Sequence, residues 1–285
     1  MIICVVGPTA VGKTKLSVEL AKKYNGIVIN CDAMQVYKDL NIGTAKATKE
    51  EQEGIKHELL DFVPVTTDYT VYDYQKDARE LLKSYEDRNI IFVGGTGLYL
   101  RAALYDYQFK EEIKSNNNYD ELSNEEIYQL ALNKDKNIDI HPNNRQRLMR
   151  FLNKEDNIRN DSKELYKAIY IGLTTDRNEL YKRIDNRVDE MINNGLLEEV
   201  KTFYDKGIRS KALTTGIGYK ELYDYFDNKC SLEEAIDLIK KRSRHYAKRQ
   251  YTFFNHQLPV EWFETDYKNF SKTVNEVVNY IEKIK

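Results

Sequence analysis

No run in this chain approaches the roughly 18 consecutive apolar residues of a membrane-spanning helix, so none is predicted. The first segment reads as a core strand where a charged-then-apolar leader would otherwise stand, and a cytoplasmic location is expected. Cysteine is scarce: Cys4, Cys31 and Cys230 are odd in number and show no C-x-x-C spacing. That argues against a disulfide framework, and the three are expected as reduced thiols without a metal. Excess charge of one sign is also missing, with 44 Lys+Arg against 46 Asp+Glu and a formal net charge of −2. No global positive field advertises a nucleic-acid partner, so any such partner must be held by local patches. There is no internal repeat and no low-complexity linker. What remains, 285 residues at 41% hydrophobic content, suffices for one substantial core with a small appendage.

The strongest local signal is at the start. Ile2-Ile3-Cys4-Val5-Val6 runs into Gly7-Pro8-Thr9-Ala10-Val11-Gly12-Lys13-Thr14, the G-x-x-x-x-G-K-[ST] spacing of a P-loop. Glycines at this spacing let successive backbone N–H groups point at an anion, and the following helix adds its positive end. Lys13 would reach the phosphates and Thr14 would ligate Mg²⁺. Leu16, Leu20 and Ala21 follow at helical spacing until Asn25-Gly26 stops the helix. Taken alone the motif points to a nucleotide such as ATP; a glycine-rich turn without a ligand is the alternative.

A second buried strand, Gly26 to Cys31, delivers Asp32-Ala33-Met34-Gln35-Val36-Tyr37 at its carboxyl end, where open α/β sheets bind ligands. Asp32 admits three readings: a Mg²⁺ partner, a general base, or the cap of a following turn. His57 to Val63 reads as a short strand with His57 structural, and 69–87 as an amphipathic helix. Asn89 to Val93 is another strand, ending in Gly94-Gly95-Thr96-Gly97 before a helical stretch. This second strand-to-glycine-loop junction would open beside the first and makes Thr96 a candidate site residue. The fold class expected is α/β, a P-loop NTPase-like parallel sheet flanked by helices. The core would comprise 1–104 and 141–285, with a small polar helical insertion at 105–140.

Two late patches are basic. Gln146-Arg147-Leu148-Met149-Arg150 follows Arg145 without an acid, and reads either as an RNA contact or as a solvated helix face. From Lys240 to Phe254, Lys241, Arg244, His245 and Lys248 share a helical stripe, and aromatic residues follow. That suits a phosphate backbone and an unstacked base, or else a charged face over an aromatic-anchored core. In the helix after Asp176, Arg183 and Arg187 are four apart and can share a face.

In their order, the P-loop, Asp32 to Tyr37, Ile42 to Lys46, Gly94 to Tyr99, Gln146 to Arg150, Gly218 to Glu221 and Ala247 to Gln250 closely resemble the tRNA dimethylallyltransferases. The resemblance runs from Gly7 to about Phe254. It implies transfer of a dimethylallyl group from dimethylallyl diphosphate to the exocyclic amine of the adenosine 3′ of a tRNA anticodon. On that basis Gly7, Pro8, Thr9, Ala10, Val11, Gly12, Lys13 and Thr14 grip the donor diphosphate with Mg²⁺ on Thr14, and Arg187 is a further diphosphate candidate. Asp32 is the candidate base, and Asp32, Ala33, Met34, Gln35 and Thr96 meet the flipped adenosine. Gln146 to Arg150 and Lys248, Arg249, Gln250, Tyr251, Thr252, Phe253, Phe254 and Asn255 contact the anticodon stem-loop, and a monomer is expected. The chain departs from the family pattern in having no arginine between Arg101 and Arg145, Phe253 where a Trp is usual, and Asn255 where a basic residue is common. Lys110 or Lys114 would substitute in the insertion as point charges.

Overall fold

A computed structural model describes residues 1–109, 119, 121–153 and 163–285. Two compact units are present, one formed by Met1–Asp106 with Lys163–Lys285 and the other by Tyr107–Ser162. In the larger unit the chain runs through β1 (Ile2–Val6), α1 (Lys13–Tyr24), β2 (Gly26–Asn30), α2 (Lys49–Gln52), β3 (His57–Glu58), α3 (Val71–Ser84), β4 (Asn89–Val93) and α4 (Gly97–Leu104). The smaller unit holds α5 (Asn124–Lys134) and α6 (Arg145–Leu152). The larger unit resumes with β5 (Ile169–Thr174), α7 (Arg177–Asn193), α8 (Leu196–Asp205), α9 (Lys211–Thr215), α10 (Tyr219–Phe226), α11 (Leu232–Gln257), β6 (Glu261–Glu264) and α12 (Phe270–Ile284). Among the described residues no helix is long and apolar enough to cross a membrane.

The six strands form one sheet in the order β3-β2-β4-β1-β5-β6, with every pair parallel. Parallel strands are buried on both faces, which is why they read as continuous apolar runs. Successive side chains still face opposite ways. From β1 and β4, Cys4, Val6, Ile90 and Phe92 join a core beneath α3 and α4, whereas Ile3, Val5, Ile91 and Val93 join one with α1, α7 and α12. Because the chain leaves β1, builds β2 and β3 outward, and returns with β4 between β1 and β2, the carboxyl ends of these three inner strands lie side by side. The loops that follow them therefore converge.

Local signals explain the boundaries. Gly12 caps α1 at φ 93°, a conformation that favours glycine, and Asn25 ends the helix in the left-handed region at φ 47°. Thr70–Asp73 and Ser231–Glu234 form capping boxes that start α3 and α11. The strand expected over His57 to Val63 stops at Glu58. Leu59 and Asp61 take φ values of 54° and 57°, which break the extended backbone, and only Val63 returns to bridge Tyr37.

In the smaller unit, Ile127 and Ala131 of α5 pack on Leu148 of α6. Arg145 donates to the carbonyl oxygens of Leu122 at 2.5 Å and Tyr119 at 2.6 Å, tying the start of α6 to the segment before α5. The return to the core expected at 141 thus falls at 163, since α6 closes over α5. Lys110 and Lys114 lie outside the described residues.

Candidate active site

A cavity of about 890 Å³ opens where the three inner loops meet, lined by the P-loop, Asp32 to Gln35, Gly43 to Ala45, Gly94, one face of α7 and one face of α11. Gly7 to Gly12 bridges β1 and α1, with Gly12 at the helix N-terminus, so backbone N–H groups and the dipole end of α1 lie on the cavity wall. Lys13 Nζ donates to the Pro8 carbonyl at 2.6 Å. Burial lowers the Lys13 pKa from 10.5 to about 8, with the Arg187 charge adding to the fall and Asp32 opposing it. Arg187 Nη1 donates to Thr9 Oγ1 at 2.8 Å, so α7 brings a second cation onto the loop. Burial lowers its pKa as well. Two cations held close together in a poorly solvated pocket form a site that a polyanion relieves.

Facing the cradle, Asp32 Oδ1 accepts from the backbone N–H of Met34 at 2.9 Å and of Gln35 at 3.4 Å, so one oxygen caps the turn. The other oxygen, Oδ2, lies 3.8 Å from where a Cβ on Gly95 would stand. Asn30 braces this corner. Its side chain donates to the carbonyls of Leu59 and Asp32 and accepts from Asp32 N–H. Thr96 Oγ1 accepts from Ala33 N–H at 3.0 Å, and the Tyr246 phenol lies close to the Thr96 side chain. Burial raises the Tyr246 pKa, and the charge of Asp32 adds to this, so the phenol keeps its proton.

The neighbouring loop is held from α8. Glu199 accepts from the N–H groups of Asn41, Ile42 and Gly43 at 2.9, 2.8 and 3.1 Å, and from the Tyr219 hydroxyl at 2.7 Å. Glu199→Ala strips four donors of a charged acceptor and is expected to destabilise the fold by about 2 kcal/mol. Urea denaturation measures it; a change under 0.5 kcal/mol would show that water replaces the carboxylate.

Residues 35–257 match the IPP transferase family. The chain belongs to that family. It is 46% identical over 303 residues to a tRNA dimethylallyltransferase of Anoxybacillus flavithermus, covering 99% of this chain and 96% of that one. A Geobacillus thermodenitrificans tRNA dimethylallyltransferase is 45% identical over 306 residues, covering 98% and 96%. Among solved structures, the full-length tRNA isopentenylpyrophosphate transferase of Bacillus halodurans superposes with a TM-score of 0.77 at 39% identity, covering 99% and 95%. A eukaryotic dimethylallyltransferase acting on tRNA gives 0.78 at 26% identity, covering 97% of this chain and 77% of that one.

Of the expected donor-side set, Thr9 to Thr14 and Arg187 line one cavity with Asp32, Ala33, Met34 and Gln35, whereas Gly7 and Pro8 do not line it; Thr96 bonds to Ala33 on its wall. The expected RNA-contact stretches divide. In α6, Gln146, Arg147 and Arg150 are exposed and Met149 is half-buried, but Leu148 is fully buried as the α5–α6 anchor. In α11, Lys248, Arg249, Thr252 and Asn255 are exposed. Phe254 is fully buried in the core under α4, where truncation would cost about 3–5 kcal/mol, so it has no face for RNA. Gln250 is only 4% exposed and also turns inward. Tyr251 bonds through its hydroxyl to Thr174, and Phe253 lies against Gly97. The basic stripe loses Arg244, which pairs with Asp185 of α7, while Lys241 and His245 stay exposed. Sequence reasoning missed Tyr246 as a site residue and Glu199 as a support. Ile239, Ser243, Tyr246 and Gln250 fall four, three and four apart, a helical stripe facing the cavity that was available to periodicity analysis.

Proposed function

We infer that this protein transfers the dimethylallyl group of dimethylallyl diphosphate to the exocyclic amine of the adenosine 3′ of the anticodon in tRNA, releasing diphosphate. The observation that carries the reading is one cavity with a cationic anion cradle on one wall and the Asp32–Thr96 corner on the other. Adenine's amine is a weak nucleophile because its lone pair is delocalised into the ring. In the proposed step that nitrogen forms a bond to the allylic carbon, the carbon–oxygen bond breaks, and its electron pair leaves on the diphosphate. The departing charge falls on the P-loop N–H groups, Lys13 and Arg187. The nitrogen's proton passes to Asp32 Oδ2, whose partner oxygen stays engaged by the turn. The adenosine must leave its stack to enter. Exposed Gln146, Arg147, Arg150, Lys248 and Arg249 supply polar and cationic contacts for the RNA backbone.

The site fits Mg²⁺ by its donor set. Among the described residues no cluster of three or more His, Cys, Asp or Glu forms a closed metal cage. Mg²⁺ usually takes one or two protein oxygens together with substrate phosphates and waters, which suits the Thr14 hydroxyl in the cradle. When bound it would neutralise diphosphate charge. The same reading has the protein act as a monomer in the cytoplasm.

The direct test incubates labelled dimethylallyl diphosphate with unmodified tRNA and analyses nucleosides; prenylated adenosine is expected, and its absence refutes the reading. ATP with a small acceptor serves as the control for a kinase. A pH prediction follows from Lys13. Its ammonium is charged below its pKa of about 8 and neutral above it. Donor affinity, measured by calorimetry from pH 6.5 to 9.5, is therefore expected to weaken as pH rises through about 8. A flat profile up to pH 9.5 would show that Lys13 keeps an ordinary lysine pKa.

A further inference from the structure

We propose that Gln250 is a positioning residue that couples the donor cradle to the acceptor corner, so that binding on one side prepares the other. This rests on the prenyl-transfer reading. The Gln250 side chain of α11 spans the two glycine loops: Oε1 accepts from Thr9 N–H at 3.1 Å, and Nε2 donates to the Gly95 carbonyl at 3.1 Å. Thr9 offers only a donor there and Gly95 only an acceptor, so a single amide orientation satisfies both. The bridge is buried, and an unmatched amide there would carry a desolvation cost.

Each end of the amide continues into a different substrate's wall. Beyond Thr9 lies Arg187, whose guanidinium holds the Thr9 hydroxyl. Beyond Gly95 lies Thr96, whose hydroxyl holds Ala33 N–H next to Asp32. A continuous chain thus runs Arg187, Thr9, Gln250, Gly95, Thr96, Ala33 and Asp32. Gly95 is part of the device. A Cβ there would fall 1.9 Å from Gln250 Nε2, so only glycine lets the amide reach the loop. Because Thr9 N–H is engaged by Gln250, this donor serves loop position, and the anion is left to the later N–H groups of the cradle.

One helical turn carries both the bridge and the outer surface, since Lys248, Arg249 and Thr252 are exposed beside buried Gln250. RNA that settles on that surface holds the turn of α11 that carries Gln250, and through the amide it holds the P-loop. The entropic cost of fixing the cradle is then already met when the donor arrives. Linkage makes the effect reciprocal.

The experiment measures the affinity of the S-thiolo analogue of dimethylallyl diphosphate with and without an unmodified anticodon stem-loop. In the wild-type protein RNA is expected to tighten analogue binding about fivefold or more, the low end of ordinary coupling. Gln250→Met keeps the length and loses both hydrogen bonds, and its ratio is expected to fall to about one. Gln250→Glu keeps an acceptor for Thr9 and loses the donor to Gly95; its ratio is expected to fall as well, and it covers the case in which the Met variant does not fold. Thermal melting identifies folded samples. A wild-type ratio of one, or an undiminished ratio in a folded variant, overturns the coupling role. Nucleoside analysis of the wild-type protein with dimethylallyl diphosphate and the same RNA separates the two readings: no product refutes prenyl transfer, whereas product with undiminished coupling in a variant refutes only the role of Gln250.

Discussion

Lys13→Ala is expected to lower kcat/KM for dimethylallyl diphosphate by about 10³-fold, the upper range for loss of one preorganised donor at a developing anion. The effect is large because Lys13 sits in a poorly solvated cavity, where a charge acts through a lower effective dielectric than in water. Leaving-group charge grows as the carbon–oxygen bond breaks, so the ammonium acts more strongly in the transition state than on bound donor. The substitution should spare the fold. The Lys13 side chain makes one hydrogen bond, to Pro8, and burying its charge carries a cost that alanine removes. Steady-state kinetics with a thermal melt checks both halves. Loss of less than tenfold, with the protein folded, would remove Lys13 from the leaving-group role and put the burden on Arg187.

Asp32→Asn should slow the single-turnover rate by about 10²-fold or more while RNA affinity changes little. Asparagine is preferred to alanine because Asp32 has two tasks. Its Oδ1 caps the turn at Met34 and Gln35, and asparagine keeps an acceptor there. What asparagine removes is the basic oxygen on the Gly95 side. Asp32→Ala would also release the turn and its link through Ala33 to Thr96, mixing a positional loss with a chemical one. A rapid-quench experiment with saturating RNA isolates the chemical step. An Asn variant as fast as wild type, alongside a slow Ala variant, would leave Asp32 as a cap only. On the proposed reading, the cap and the base are separate functions of one carboxylate, the cap made by Oδ1 and the base by Oδ2.

Much of the donor side was legible in the chain because its signals are local. A β-branched strand, two glycines, a lysine and a threonine at fixed spacing specify a loop whose shape follows from neighbouring residues alone, and the observed β1 and α1 follow that pattern. Asn89 to Val93 behaves likewise, with strand bounds as expected. The strand over His57 to Val63 was overextended because positive φ at Leu59 and Asp61 leaves no trace in an apolar pattern. The late patches were harder. A run such as Lys248 to Asn255 lists residue types without saying which side of a helix meets water, and the helix turns Gln250 and Phe254 inward while Lys248, Arg249 and Thr252 face out. In α6, the same ambiguity hid Leu148 among exposed basic residues.

The sequence by itself determined the P-loop and the family, and set the loop after Val93 beside the first, since each is written in short-range spacing and in the succession of motifs. Only the tertiary structure decided what lies against the cradle. Arg187 reaches Thr9 across 178 residues, Gln250 reaches Thr9 across 241, and Thr96 reaches Ala33 across 63. Such pairings are set by how helices pack on a parallel sheet, which depends on the summed burial of many side chains and on no local rule. For that reason the loop from Gly7 to Thr14 could be read along the chain, whereas the buried amide that joins Thr9 to Gly95 had to be seen in three dimensions.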